Sequence, residues 1–183
     1  MESKEIKITV KEWSKKLLSG DEDLVKKTIT ELRDKGSNEV IPVLGTLLHS
    51  NHSDETTQAI ISFLRDLKNK ESVPFLVEII KKSKDSEILP PLVACAWENG
   101  LDYSEHIEFF IDLVIEEDLL ASIEAFTVVE ENIEKINASK RNEFIKKIAK
   151  KSKSVSKEKA QLIEELMSII NIAPGPLSFD KSE

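Results

Sequence analysis

The sequence predicts an all-α protein of about four helical hairpins, with a capping helix at each end. Apolar residues recur every 32 to 34 residues, so that Leu44, Leu76, Phe110 and Phe144 occupy equivalent positions. Within each interval the apolar residues follow the i, i+3, i+4, i+7 spacing of a helix with one buried face. The 183 residues include only 5 Gly and 6 Pro, which argues against a loop-rich chain.

These patterns predict one domain over residues 1–172. The predicted elements are a cap helix at about 9–19, hairpins at about 21–52, 53–85, 86–118 and 119–152, a final helix at about 156–170, and a flexible tail at 173–183. The segment Thr9–Glu12 has the Ser/Thr-x-x-Glu pattern of a capping box, which predicts the start of the first helix. The preceding Ile6–Ile8 alternates like a strand and is predicted to be extended. Polar terminal helices favour a complete array of repeats.

The first two hairpins carry the clearest internal similarity. Val40-Ile41-Pro42-Val43-Leu44 with Leu47-Leu48 corresponds to Val73-Pro74-Phe75-Leu76 with Ile79-Ile80. Proline in the first turn of each second helix fits, because that position has no intrahelical N–H bond to lose. Tandem hairpins of this length and pattern resemble HEAT-type repeats over about residues 21–152. The resemblance implies a right-handed α-solenoid whose second helices line a concave face, and it implies no particular activity.

Composition excludes several classes of protein. The net charge is −8, the single cysteine allows no internal disulfide, and no apolar run approaches the roughly 20 residues of a membrane span. The N-terminal residues lack the apolar core of a secretory signal, so a cytoplasmic location is expected.

Charge is unevenly distributed along the chain. Residues 98–134 contain twelve acidic residues and no Lys or Arg, a local charge of −12, whereas residues 140–159 carry +7. Four acidic residues step by three, four and four and so form one stripe on a helix: Glu105, Glu108, Asp112 and Glu116. A non-catalytic protein-binding module or scaffold is the favoured function, with this stripe contacting the basic surface of a protein partner.

Two other interpretations of the charged segments remain open. The 34-residue offset places Asp112 beside Lys146 and Glu116 beside Lys150, which would pair the stripe internally and leave only Glu105 and Glu108 free. Alternatively, the basic stretch contacts nucleic acid phosphates. The lysines considered for that role are Lys146, Lys147, Lys150 and Lys151.

No motif indicates catalysis, a cofactor or a metal, and none is predicted. His49, His52 and Asp54 lie close in sequence, but no fourth zinc ligand is evident, so a structural role is favoured. His106 lies between two glutamates, which predicts a raised pKa. Cys95 lies in an apolar helical segment and is predicted to be a buried, unreactive thiol.

Overall fold

A computed structural model describes residues 2–35, 38–50, 52–152 and 155–174, with the side chains of all but residues 2–9, 34 and 35. This part of the chain contains ten α-helices and no strand, which confirms the predicted all-α class. The helices are α1 (Glu2–Leu17), α2 (Glu22–Lys35), α3 (Ile41–Leu48), α4 (Asp54–Arg65), α5 (Val73–Lys82), α6 (Leu89–Glu98), α7 (Ile107–Glu116), α8 (Leu119–Asn132), α9 (Ala138–Lys151) and α10 (Lys157–Ile172). None of the described helices is long and apolar enough to cross a membrane.

The same few features recur at the N-termini of the helices. A 3-10 turn directly precedes α3, α5 and α7, and a proline lies in the first turn of α3 and of α5. Other helices begin with a polar N-cap, as at Ser53, Asp118 and Asn137, whose side chains each accept a hydrogen bond from a backbone N–H of the first turn. These helices therefore begin where turn chemistry and the apolar pattern both favour them.

The first helix differs from its prediction. It begins at Glu2, so Thr9 lies within α1 and the predicted capping box at Thr9–Glu12 is wrong, as is the extended segment at Ile6–Ile8. Residues 2–8 contain neither Gly nor Pro and are rich in Glu and Lys, which favour a helix, whereas a three-residue alternation is too short to form a sheet alone. Of the predicted tail at 173–183, residues 175–183 lie outside the described part of the chain.

Many helices pack on the helix two further along the chain, which defines an even-numbered and an odd-numbered row, the latter with its weakest packing between α5 and α7. The even-numbered helices pack in chain order, α2 on α4, α4 on α6, α6 on α8 and α8 on α10. Among the odd-numbered helices, α1 packs on α3, α3 on α5, and α7 on α9. The predicted core positions Leu44, Leu76, Phe110 and Phe144 are each at most 3% exposed, so these four apolar positions are buried as expected.

Candidate functional site

The acidic stripe of α7 faces the lysines of α9. Lys147 Nζ lies 2.8 Å from a carboxylate oxygen of Glu108 and 2.7 Å from one of Asp112. Lys151 Nζ lies 3.0 Å from Asp112 and 2.5 Å from Glu116. Two lysines therefore bridge three consecutive acidic residues of the stripe, and Asp112 contacts both.

The chemical environment of these lysines favours their charged form. Partial burial alone would lower the pKa of Lys147, but its hydrogen bonds to Asp112 and Glu108, together with the charge attraction of both carboxylates, outweigh burial and raise the pKa above the usual lysine value. The hydrogen bonds of Lys151 to Glu116 and Asp112 raise its pKa as well. The Lys147 and Asp112 side chains are only 25% and 28% exposed, so water screens this pair less than an ordinary surface pair.

The predicted internal partners, Lys146 and Lys150, are wrong by one residue. Residues at equivalent positions of two neighbouring helices point in the same direction. A residue on the side of α7 that faces α9 is therefore equivalent to a residue on the side of α9 that faces away from α7. Lys147 and Lys151 lie about 100° further around α9, on the flank that faces α7. Glu108 is consequently paired rather than free.

Glu105 differs from the rest of the stripe. It lies in the 3-10 turn before α7, is exposed, and makes no salt bridge with any described residue. Its neighbour His106 has a pKa below the usual histidine value because burial and nearby Lys81 outweigh the carboxylates of Glu105 and Glu78. The predicted rise in the His106 pKa is therefore wrong, since the sequence showed the adjacent acids but not Lys81 or the degree of burial.

An apolar groove of about 310 Å³ lies between α3 and α5. The two helices approach closely at Gly45, where an added Cβ atom would lie 2.6 Å from Ile79 Cγ1. Thr46 and the half-buried ring of Phe75 line the groove, and Lys82 lies at its edge. Sequence reasoning missed this groove, because the close approach at Gly45 involves a residue of another helix and leaves no periodic signal.

Several basic side chains of residues 140–159 bond to other parts of the fold. Besides Lys147 and Lys151, Arg141 donates to the carbonyl oxygen of Ala173. Lys159 is 9% exposed and its Nζ donates to the carbonyl oxygens of Ile115, at 2.7 Å, and of Glu117. Burial lowers the pKa of Lys159, and its ammonium group stabilises the carbonyl end of α7. Within the described part of this stretch, four lysines are exposed and form no salt bridge: Lys140, Lys146, Lys150 and Lys157.

A second set of ion pairs joins residues that lie 33 positions apart in the chain. Arg33 pairs with Asp66, and Arg65 pairs with Glu98. Lys135 Nζ lies 3.3 Å from an oxygen of Asp102. Sequence reasoning did not identify these pairs, although opposite charges 33 residues apart are visible in the sequence.

Two of the remaining candidate residues, His52 and Cys95, have structural partners. His52 Nδ1 lies 2.6 Å from the Ser50 carbonyl oxygen, and its Nε2 lies 3.2 Å from Thr57 Oγ1. Among the residues that the structure describes, no three His, Cys, Asp or Glu side chains are grouped closely enough to hold a metal ion. Cys95 is fully buried, and burial raises the pKa of its thiol to about 12, as expected for an unreactive cysteine.

The comparisons with known proteins concern the fold. No protein-family model matches the chain, and no curated protein matches it. The crystal structure of an engineered protein is similar, with a TM-score of 0.50 and 17% identity over 91% of this chain and 81% of that chain. This likeness supports the all-α fold.

Proposed function

We propose that this chain is a non-catalytic protein-binding module, built as a right-handed α-solenoid of HEAT-like hairpins. The interval of 32 to 34 residues between equivalent core positions and the chain-order packing of the even-numbered helices support this architecture. In such an array the second helices α3, α5, α7 and α9 share one face. That face is the proposed binding surface.

The groove between α3 and α5 carries the proposal. It is lined mainly by apolar groups, including the half-buried ring of Phe75, and it opens to solvent beside exposed Thr46. An apolar side chain of a partner would bury its surface there and supply the core of an interface. On the same row, Phe109 of α7 is half-buried, with Lys81 Nζ 5.6 Å from its ring centre.

The predicted acidic stripe contributes unequally to this surface. Glu108, Asp112 and Glu116 are held by α9, so their main effect is to fix α7 against α9. Glu105 is the member of the stripe whose charge is available to a basic partner. An exposed acidic residue of this kind adds specificity and encounter rate more than affinity.

The test is affinity capture from native lysate after nuclease treatment, at low and moderate salt. A discrete protein should be retained by the natural chain and lost with Thr46→Arg, because arginine would occupy the mouth of the groove. Glu105→Lys should weaken capture mainly at low salt.

The matched control is Gln58→Arg, which adds the same charge at an exposed position of α4, in the other row of helices. Equal loss of the protein with Gln58→Arg and Thr46→Arg would contradict the groove as the binding site. Capture of nucleic acid alone, lost at higher salt, would instead support the phosphate-binding alternative through the exposed lysines of α9.

A further inference from the structure

The outer surface of α8 exposes a group of large apolar side chains. Leu119, Leu120 and Ile123 are 40%, 67% and 44% exposed, and Trp97 of neighbouring α6 is 36% exposed. Single exposed apolar residues are common on soluble proteins, but a cluster marks an interaction surface. These four residues form the α8 patch.

Trp97 is held in place at one side of the α8 patch. Its indole Nε1 donates a hydrogen bond of 2.8 Å to a carboxylate oxygen of Glu124, one helical turn beyond Leu120. This bond fixes the ring against α8 and reduces the entropy that it would lose on contact with a partner. Fixed aromatic rings are favoured anchors in protein interfaces.

The charge around the α8 patch is acidic. Residues 98–134 contain no Lys or Arg. Lysines or arginines from outside this segment pair with five of its acids, namely Glu98, Asp102, Glu108, Asp112 and Glu116. On α8 itself Glu130 and Glu131 are exposed, and neither forms a salt bridge with a described residue. Glu130 and Glu131 therefore add unneutralised negative charge to α8, the helix that also bears the exposed apolar residues.

This charge argues against a second copy of the chain as the occupant. In a two-fold symmetric dimer the same surface patch occurs on both partners. The acidic residues of one copy would then approach those of the other, and such like-charge contacts oppose association. A partner with apolar residues on one face and basic residues at its edges would satisfy both features of the surface.

The geometry points to the α8 patch as a docking site for a basic amphipathic helix of a protein partner. Apolar residues of that helix at i, i+3, i+4 and i+7 pack on Leu120, Ile123 and Trp97. Its lysines or arginines lie near Glu130 and Glu131. This site lies on the even-numbered row of helices and does not depend on the groove between α3 and α5.

The test uses fluorescence anisotropy with a labelled 18-residue peptide that carries leucines on one helical face and lysines elsewhere. The full chain should bind this peptide at least about tenfold more tightly than the same leucine pattern with glutamates in place of lysines. It should show a similar preference over a scrambled peptide of identical composition, since scrambling removes the apolar face. Affinity for the leucine–lysine peptide should fall as salt is added.

Substitutions identify the surface. Leu120→Ser with Ile123→Ser should raise the Kd for the leucine–lysine peptide at least about tenfold. The matched control is Leu18→Ser with Ile172→Ser, which removes two apolar side chains that are 57% and 72% exposed elsewhere and should leave the Kd unchanged. Glu130→Lys with Glu131→Lys should also weaken binding and gives a second test that leaves the apolar residues intact.

Several results would overturn the proposal. They are absence of peptide binding, equal affinity for the lysine and glutamate peptides, or equal effects of the two serine double variants. Concentration-dependent dimerisation that Leu120→Ser with Ile123→Ser abolishes would identify a second copy as the occupant instead. Because this experiment uses no groove variant, its failure leaves the proposed groove function standing.

Discussion

Replacing Phe110 with alanine is expected to lower the free energy of unfolding by about 3–5 kcal/mol. Phe110 is fully buried in α7, and its ring meets that of Tyr103 edge to face, with centroids 5.7 Å apart. The substitution removes both this aromatic contact and apolar volume in the buried core. Chemical denaturation followed by circular dichroism measures the change.

The control for Phe110→Ala is Phe109→Ala in the same helix. Phe109 is half-buried and has a lysine ammonium 5.6 Å from its ring centre, so less apolar surface is lost there. Phe109→Ala should cost less than Phe110→Ala. Equal costs would contradict the assignment of Phe110 to the buried core.

Replacing Asn132 with alanine is expected to cost about 2–3 kcal/mol, a large effect for one polar side chain. Asn132 is 2% exposed, and its Oδ1 accepts hydrogen bonds of 3.0 Å from the backbone N–H of buried Tyr103 and from Lys135 Nζ. Its Nδ2 donates to the Val128 carbonyl oxygen at 2.9 Å. Alanine leaves the Tyr103 N–H without a partner in a site closed to water, which carries the full desolvation penalty.

Two measurements test Asn132→Ala. Denaturation gives the loss of stability, and hydrogen exchange of the Tyr103 amide should become faster than in the natural chain. The matched control is Asn142→Ala, an exposed asparagine of α9, for which a change below about 0.5 kcal/mol is expected. If both asparagine variants lose the same stability, the buried hydrogen bonds of Asn132 do not support the fold.

The core of the fold could be predicted from the sequence, because the periodic positions of the apolar residues indicate which side chains are buried. Leu44, Leu76, Phe110 and Phe144 were identified from a 32- to 34-residue interval and are all buried. The ion-pair partners of the α7 acids were harder to predict. Periodicity identifies the equivalent position on α9, but it does not show which side of α9 faces α7. That is why Lys146 was predicted where Lys147 makes the contact.

Other features of the site depend on residues that only the folded chain brings together. The pKa of His106 depends on Lys81, 25 residues earlier, as well as on the adjacent glutamates. The groove depends on the contact of Gly45 with Ile79, and the Asn132 network on its bond to Tyr103. A single sequence contains no signal for which residues form such pairs, because the two members lie far apart in the chain.

The central question is whether the acidic stripe of α7 stabilises the fold through ion pairs with α9 or is available to bind a partner. A double-mutant cycle between Asp112 and Lys147 tests this most directly, using the free energies of unfolding of the natural chain, both single alanine variants and the double variant. The expected coupling is about 0.5–1 kcal/mol at low salt, and it should decrease as salt is added. The same cycle between Asp112 and Lys146 should give a coupling near zero. No coupling with Lys147, or an equal coupling with Lys146, would contradict the pairing of Asp112 with Lys147 as a contact that fixes α7 against α9.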